Sequence, residues 1–244
     1  MVTIPSAEEL LQAACHIGHP TQKWNPKMAP YLYGSRKKIH IFDLAQTCMH
    51  LQDVCAALAE LQRKGKTILF ASTKQQAIPL IEDIGHVTGQ PTVTKKWVPG
   101  LLTNWGTIKR RLQYYLDLQQ SFQTGDVSKY TKSEQTKLRK KLLKLDTGLA
   151  GVAKMKSLPD ALFVVDAVHN NVAVLEARTL GIPVYGICDS NADPDLFTLF
   201  IPANDDAVKS ITLLLGIIRN TLVEAKEEVE KETKESKKDK ENIA

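Results

Sequence analysis

The segment Asp160–Asp189, DALFVVDAVHNNVAVLEARTLGIPVYGICD, decides the fold of this chain. It begins with the apolar run DALFVVD and ends with a second one, PVYGICD, and turn-forming residues bound both runs. Short continuous apolar runs of this kind are typical of strands that are buried on both faces. The helix-like stretch Asn170–Leu180 lies between them. A strand, a helix and a second strand in this order indicate a parallel pair joined by a right-handed crossover.

The same alternation extends outward in both directions along the chain. Further buried strands are predicted at Lys66–Thr73 (KTILFAST), Pro91–Trp97 (PTVTKKW) and Leu199–Asn204 (LFIPAN), and further helices at Gln75–Thr88 and Asp205–Glu224. Buried strands that alternate with helices imply a parallel sheet with helices on both faces. The sequence therefore predicts a doubly wound α/β fold with five strands.

The interval between the second and third predicted strands is too long for a simple crossover. Two series of apolar residues within it are spaced three or four residues apart, as on one face of a helix. The first series is Ile108, Leu112, Tyr115, Leu118 and Phe122, and the second is Leu138, Leu142, Leu145, Leu149 and Val152. Polar residues around Gly125 suit a turn between them. We expect a protruding antiparallel coiled-coil hairpin, and the alternative is two ordinary core helices.

These patterns divide the chain into three parts. Residues 1–104 and 154–223 form the predicted sheet domain, which begins with a helical or extended N-terminal arm, and residues 105–153 form the inserted hairpin. Residues 224–244 alternate Lys and Glu with few apolar residues, so we expect a charged tail that is disordered beyond the end of the last helix.

Composition excludes several classes of protein. The four cysteines, Cys15, Cys48, Cys55 and Cys188, form no C-x-x-C pair, which favours reduced thiols and a cytoplasmic location over a secreted disulfide scaffold. The longest apolar run, Leu213–Ile218, is far shorter than the ~18 residues of a membrane span. Acidic residues near the start argue against a targeting peptide. We expect a soluble, unprocessed protein.

Charge is distributed unevenly along the chain. Residues 95–156 contain fourteen Lys or Arg against four Asp or Glu, a net charge of +10, whereas residues 157–223 carry a net charge of −5. A concentrated positive field favours a polyanionic partner, because neutralising phosphates releases counterions. A solvated lysine-rich helical surface is the alternative that charge alone leaves open.

The loops at the strand ends show no known phosphate-binding motif. The segment Ala71–Gln75 that follows the first strand lacks both G-x-G-x-x-G and G-x-x-x-x-G-K-[ST], although Lys74 could hold one phosphate. Acidic residues do gather at strand ends, and a magnesium-dependent enzyme that uses Asp166, Asp189 and Asp193 is the rival hypothesis. Turn formation and helix capping explain the same residues without a metal.

Histidines and a cysteine cluster near the N-terminus without forming a recognisable site. Cys15, His16 and His19 lack the second ligand pair of a structural zinc site, and no third group that would orient a Cys-His nucleophile is identifiable. Packing roles are expected for His16 and His19. We therefore predict no catalytic residue, no metal and no cofactor.

Basic residues interleaved with flat side chains are the remaining chemical signal. Lys and Arg bind phosphates, and Trp or Tyr can stack on unpaired bases, so this mixture suits structured RNA. The candidate RNA-binding residues are Lys23, Trp24, Asn25, Lys27, Arg36, Lys37, Lys38, Lys95, Lys96, Trp97, Asn104, Lys109, Arg110 and Arg111. Core packing is the alternative for each Trp.

Several longer motifs, in order along the chain, resemble the bacterial-type small-subunit ribosomal protein two family. They are LLQAACHIGH (Leu10–His19), WNPKM (Trp24–Met28), IHIFDL (Ile39–Leu44), GLLTNW (Gly100–Trp105), LPDALFVVD (Leu158–Asp166), AVLEA (Ala173–Ala177), LGIPV (Leu180–Val184), DSNADP (Asp189–Pro194) and IPANDD (Ile201–Asp206). The resemblance covers nearly the whole chain, from about Ile4 to Val223.

The resemblance carries its own implications for fold and function. It implies a flavodoxin-like five-stranded sheet with an inserted helical hairpin, held on the small ribosomal subunit between head and body. It further implies contacts with small-subunit rRNA, a place near the messenger-RNA exit where the protein helps recruit ribosomal protein one, neighbouring ribosomal proteins as partners, and no catalysis. The chain departs from the family pattern at Ala71–Ser72, Pro99, Ala167 and His169–Asn170, which affects the expected shape of the local loops.

Overall fold

The computed structural model describes residues 4–241, with the backbone alone for residues 232–241. The N-terminal arm contains helix α1 (Ala7–Gln12), strands β1 (Ile17–Pro20), β2 (Leu32–Arg36) and β3 (Ile39–Phe42), and helix α2 (Leu44–Arg63). Its three strands form an antiparallel sheet in the order β1-β3-β2. The expectation of a helical or extended arm did not include this sheet, because its short strands lack a continuous apolar run.

The central sheet consists of the five predicted strands. They are β4 (Ile68–Ala71), β5 (Thr92–Val93), β6 (Ala161–Val165), β7 (Val184–Cys188) and β8 (Leu199–Pro202), and they pair in parallel in the order β5-β4-β6-β7-β8. The α/β prediction is confirmed, and this arrangement is consistent with a flavodoxin-like fold. Strand β5 is shorter than Pro91–Trp97, because the segment after Val93 leaves the sheet edge.

Helices cover both faces of the sheet. The remaining helices are α3 (Ile78–Thr88), α4 (Trp105–Thr124), α5 (Lys132–Leu149), α6 (Asn171–Thr179) and α7 (Val208–Glu241). Alternate residues along each strand point to opposite faces. In β6, Leu162 and Val164 pack in one core with residues of α4 and α6, whereas Phe163 and Val165 pack in a second core with residues of α2, α3 and α7. All five residues of β6 are buried, which explains its continuous apolar sequence.

The insertion folds as two helices that contact each other. Gly125 has a positive φ of 81°, which glycine adopts without strain, and it ends α4. Thr131 and Glu134 form a reciprocal capping box that starts α5. Ile108, Leu112 and Leu149 belong to the core of the sheet domain, whereas Leu138 and Leu142, nearer the start of α5, are only half-buried. The coiled-coil geometry stays a prediction.

The edge of the sheet at β5 is covered where the insertion returns. Residues Ala150–Val152 form a short 3-10 helix against Thr92. A Cβ atom on Gly151 would lie 2.0 Å from the carbonyl oxygen of Thr92, so glycine is required for this approach. The covered edge is closed to pairing with other strands.

The C-terminal helix runs through most of the charged tail. Helix α7 ends at Glu241, so the backbone of residues 224–241 is helical, and the last three residues lie outside the described part of the chain. The expected disorder of the tail stays a prediction. Among the described residues, no helix is both long and apolar enough to cross a membrane.

Candidate nucleic-acid interface

Lys37 and Lys38 form the tight turn between β2 and β3. Arg36 pairs with Ile39, which leaves a two-residue loop, and both lysines have positive φ angles of 52° and 64°. Hairpin turns of this shape favour Asn-Gly, because each non-glycine residue in the left-handed region costs ~1–2 kcal/mol. The turn therefore carries two exposed cations at positions where another pair of residues would be more stable.

The loop from Lys23 to Lys27 contributes one free cation and a half-buried ring. The Trp24 ring lies 4.7 Å from the His40 ring, and the Asn25 side chain accepts a hydrogen bond from the backbone N–H of Lys27. Lys27 forms ion pairs with Asp193 (2.9 Å) and Asp195 (2.7 Å), and these carboxylates raise its pKa. Lys23 is exposed and has no ion-pair partner among the described residues. Of the two lysines, Lys23 is the one available to a phosphate.

The buried carboxylate of Glu176 in α6 organises the loop from Trp97 to Thr103. Its Oε1 accepts hydrogen bonds from the indole N–H of Trp97 (3.1 Å) and the backbone N–H of Gly100 (2.8 Å). Its Oε2 accepts from the backbone N–H groups of Leu102 (3.0 Å) and Thr103 (3.1 Å) and from the Thr103 hydroxyl (3.1 Å). Burial alone would raise the pKa of Glu176, but these donors hold it below its ordinary value. Glu176 is therefore ionised and fixes the loop.

The predicted residues of this loop have different environments. Trp97 is only 8% exposed and packs in the core, so little of its ring is free to stack. Lys95 pairs with Asp146 at 3.1 Å, whereas Lys96 is exposed and has no ion-pair partner among the described residues. Asn104 is exposed at the start of α4 and makes no side-chain cap.

Exposed basic residues line both helices of the insertion. Lys109, Arg110 and Arg111 lie on the exposed surface of the first turns of α4. In α5 the exposed basic residues are Lys132, Lys137, Arg139, Lys140, Lys141 and Lys144, and Lys141 lies 4.4 Å from the centre of the Tyr114 ring. None of these nine side chains forms an ion pair with a described carboxylate. The α5 residues were not predicted as contacts, although their density in the sequence was the available signal.

The acidic strand ends meet cations from the chain itself. Lys74, which follows β4, contacts Asp166 (3.2 Å), Asp205 (2.8 Å) and Asp206 (2.7 Å). Burial would lower the pKa of Lys74, but the carboxylates raise it above its ordinary value. Burial and the neighbouring carboxylates of Asp189 and Asp166 raise the pKa of Asp205 to about 7. Lys74 is occupied by these contacts and is not free to hold a phosphate.

His19 completes this cluster from the N-terminal arm. Its Nδ1 lies 2.9 Å from Asp189 and its Nε2 lies 3.4 Å from Asp206, and the hydrogen bond to Asp189 raises the pKa of His19. Within residues 4–231, these three side chains are the one group whose potential metal-ligand atoms lie within 4.8 Å of one another. The packing role expected for His19 missed this grouping, because its members come from three distant segments.

The three carboxylates of the rival hypothesis are each engaged elsewhere. Asp166 pairs with Lys74, Asp189 contacts His19 and accepts from the Ser190 hydroxyl, and Asp193 pairs with Lys27. Asp166 and Asp193 do not join the one ligand group found among the described side chains. The structure gives the magnesium-dependent enzyme no support.

Comparison with known proteins identifies the family of this chain. The family model described as "Ribosomal protein S2" matches residues 10–225. The chain belongs to the ribosomal protein S2 family. It is 41% identical over 232 residues to the small ribosomal subunit protein uS2 of a Nitratiruptor species, covering 95% of this chain and 86% of that protein. It is also 41% identical over 222 residues to the protein of the same name from Acinetobacter baylyi, covering 91% of this chain and 89% of that protein.

Membership in the S2 family settles the broad class. The chain is a small ribosomal subunit protein with a part in translation, and the family belongs to the ribosome in the cytoplasm. The family is structural and not enzymatic, so the enzyme hypothesis is not supported by the comparisons either.

Proposed function

We propose that this chain binds small-subunit rRNA between the head and the body of the subunit, near the messenger-RNA exit, and helps recruit ribosomal protein one. The observation that supports rRNA binding is the set of exposed cations without a carboxylate partner among the described residues. Of the predicted set, these are Lys23, Arg36, Lys37, Lys38, Lys96, Lys109, Arg110 and Arg111. Phosphate contacts are the expected use of such unneutralised charge.

The position within the subunit and the recruitment of ribosomal protein one rest on the resemblance to the family. The segment 157–223 has a net charge of −5 along the sequence, and its strand-end carboxylates pair with Lys27, Lys74 and His19. We assign this segment to protein neighbours, because its three Lys or Arg offer few cations to rRNA.

Sedimentation of the full-length protein tests the proposal. A cell lysate is run through sucrose gradients at moderate and at high salt, and this protein is followed by immunoblot. Comigration with small subunits, and release as salt rises, are expected from phosphate contacts with counterion release. A protein that stays at the top of the gradient at every salt concentration contradicts the proposal.

A second arm addresses the recruitment of ribosomal protein one. Small subunits depleted of this chain are expected to carry less ribosomal protein one after pelleting, and adding back the purified chain is expected to restore it. Equal amounts of ribosomal protein one on depleted and complete subunits would contradict recruitment but leave rRNA binding intact.

A further inference from the structure

A crevice opens at the carboxyl ends of β4 and β6, next to the segment that carries Lys74. Its volume is about 320 Å³, and its lining includes Thr73, Lys95, Lys96, Trp97, Pro99 and Val172. This volume is at the lower end of the ~300–1,000 Å³ range of small-ligand pockets. The crevice is large enough for one small ligand unit and open to one side.

The topology explains why a crevice forms here. After β4 the chain passes to β5 on one side, and it later returns to β6 on the other side of β4. The loops that follow β4 and β6 therefore diverge, and in open α/β sheets ligands bind at this switch point. Thr73 follows β4, and His169 and Asn170 follow β6, so three of the lining residues come from the two diverging loops.

One part of the lining suits a phosphate. Lys96 is exposed and has no ion-pair partner among the described residues, and Lys95 beside it pairs with Asp146 alone. The Asn170 side chain donates to the carbonyl oxygens of Val165 and Asp166 and does not cap α6. The first N–H groups of α6 therefore add partial positive charge next to the two lysines.

Another part of the lining is apolar and suits a flat base. Trp97, Pro99 and Val172 form this wall, and Val172 is 49% exposed. The Glu176 carboxylate holds the indole of Trp97 and the backbone of Gly100 in place. The wall is therefore preorganised, which lowers the cost of binding.

We propose that this crevice binds one unpaired nucleotide of an RNA chain, with a phosphate at Lys96 and the base against Pro99, Val172 and the small exposed edge of Trp97. This inference rests on the proposed function, since rRNA supplies the nucleotide. A free nucleoside monophosphate has the same chemistry, so the test includes both sources.

The test uses a variant of the full-length chain in which Trp97 is the only tryptophan left. Trp24→Phe and Trp105→Phe remove the other two tryptophans. The protein is titrated with a single-stranded hexa-adenylate, with adenosine 5′-monophosphate and with adenosine. We expect the oligonucleotide to change the Trp97 emission at the lowest concentration and adenosine to have no effect.

Two variants and a control localise the binding. Lys96→Ala is expected to weaken oligonucleotide binding about tenfold, as for one charge-assisted contact, and to lower the salt slope by about 0.7. Val172→Phe fills the crevice from the exposed face of α6 without changing charge, and it is expected to weaken binding as well. Lys209→Ala removes an exposed lysine of α7 and is expected to change nothing.

The outcomes separate this proposal from the proposed function. The proposal of a nucleotide in the crevice is overturned if the Trp97 emission does not change. It is also overturned if Lys209→Ala and Lys96→Ala lose the same affinity for the oligonucleotide. Tighter binding of the monophosphate than of the oligonucleotide overturns RNA as the source. Sedimentation of the wild-type protein with small subunits reports separately on the proposed function, so either can fail while the other stands.

Discussion

The strand-end cluster and the insertion both carry dense charge. The charges of the first region are paired within the chain, whereas those of the second are not. In the strand-end cluster, defined by His19, Lys74, Asp189, Asp205 and Asp206, every charged side chain has a partner from elsewhere in the chain. On α4 and α5, nine basic side chains are exposed without such a partner among the described residues. Charge that is neutralised internally serves folding, whereas charge left without a partner is available to a polyanion.

The largest expected effect comes from removing Lys74, the central cation of the strand-end cluster. Lys74→Ala removes the cation shared by three carboxylates and leaves the buried Asp205 without compensation. We expect the free energy of unfolding to fall by about 3–5 kcal/mol, as when one partner of a buried ion pair is removed. Urea unfolding measures this change.

Lys66→Ala is the matched control for Lys74→Ala. It breaks an exposed ion pair with Asp160, for which a loss of only about 0–1 kcal/mol is expected. Similar losses in the two variants would show that the strand-end cluster is no more important to stability than a surface pair.

The second prediction concerns Glu176, the buried carboxylate of α6 that binds the loop from Trp97 to Thr103. In the wild-type protein the donors bind both oxygens of Glu176, whereas Glu176→Gln offers only one acceptor oxygen. We therefore expect the free energy of unfolding to fall by about 2–3 kcal/mol. Because the native pKa lies below the ordinary value of 4.5, this stabilisation is present above that pH. It is lost as the pH falls through the lowered pKa.

Urea unfolding over a pH series checks this dependence. The stability of the wild-type protein is expected to fall more steeply than that of Glu176→Gln as the pH drops below 4.5. Glu60→Gln, in an exposed helical pair with Lys64, is the control. A parallel decline in wild type and Glu176→Gln would refute the role assigned to the carboxylate.

The third prediction tests the basic residues of the insertion that have no ion-pair partner among the described residues. Replacing Lys109, Arg110 and Arg111 together by Ala is expected to leave stability within about 0.5 kcal/mol, because the side chains are exposed. If each residue binds one phosphate, the salt slope of rRNA association falls by about 3. Filter binding to small-subunit rRNA at several salt concentrations measures the slope. An unchanged slope would remove this triplet from the interface.

The last prediction concerns the turn between β2 and β3, where only two cations are replaced. Replacing Lys37-Lys38 by Asn-Gly relieves two left-handed residues, and we expect a gain of about 1–2 kcal/mol in stability together with weaker rRNA binding. Urea unfolding and filter binding on the same variant measure the two quantities. A variant that gains stability and keeps full affinity would show that these cations are not used for rRNA.

The central sheet and its helices were predictable, because the sequence patterns that indicate them are local. Each central strand is a short apolar run, and the helices between them follow from residues three or four apart. The small N-terminal sheet was not predicted, because β2 is exposed along most of its length and β3 alternates over only four positions. The polar Lys37-Lys38 turn lies between them. Such short strands depend on their partners for stability.

The candidate site was predictable only in composition. Clustered Lys and Arg indicated a polyanionic partner, and that signal needs no structure, because the density of basic residues can be counted in the sequence. The sequence did not distinguish Lys27, which two carboxylates neutralise, from Lys23 four positions earlier, which has no partner among the described residues. It also left open whether Trp97 stacks on a base or packs in the core, and the structure buries this ring and bonds its indole N–H to Glu176.

What the sequence determined by itself is the α/β architecture, the inserted pair of helices and the sign of the charged surfaces, since these depend on neighbours along the chain. What only the tertiary structure decided is which charges remain free. Neutralisation of Lys74 requires carboxylates more than ninety positions away, and the crevice beside Lys96 forms only where two loops diverge. Electrostatic energy depends on distances in space, and these are set by packing of the whole chain.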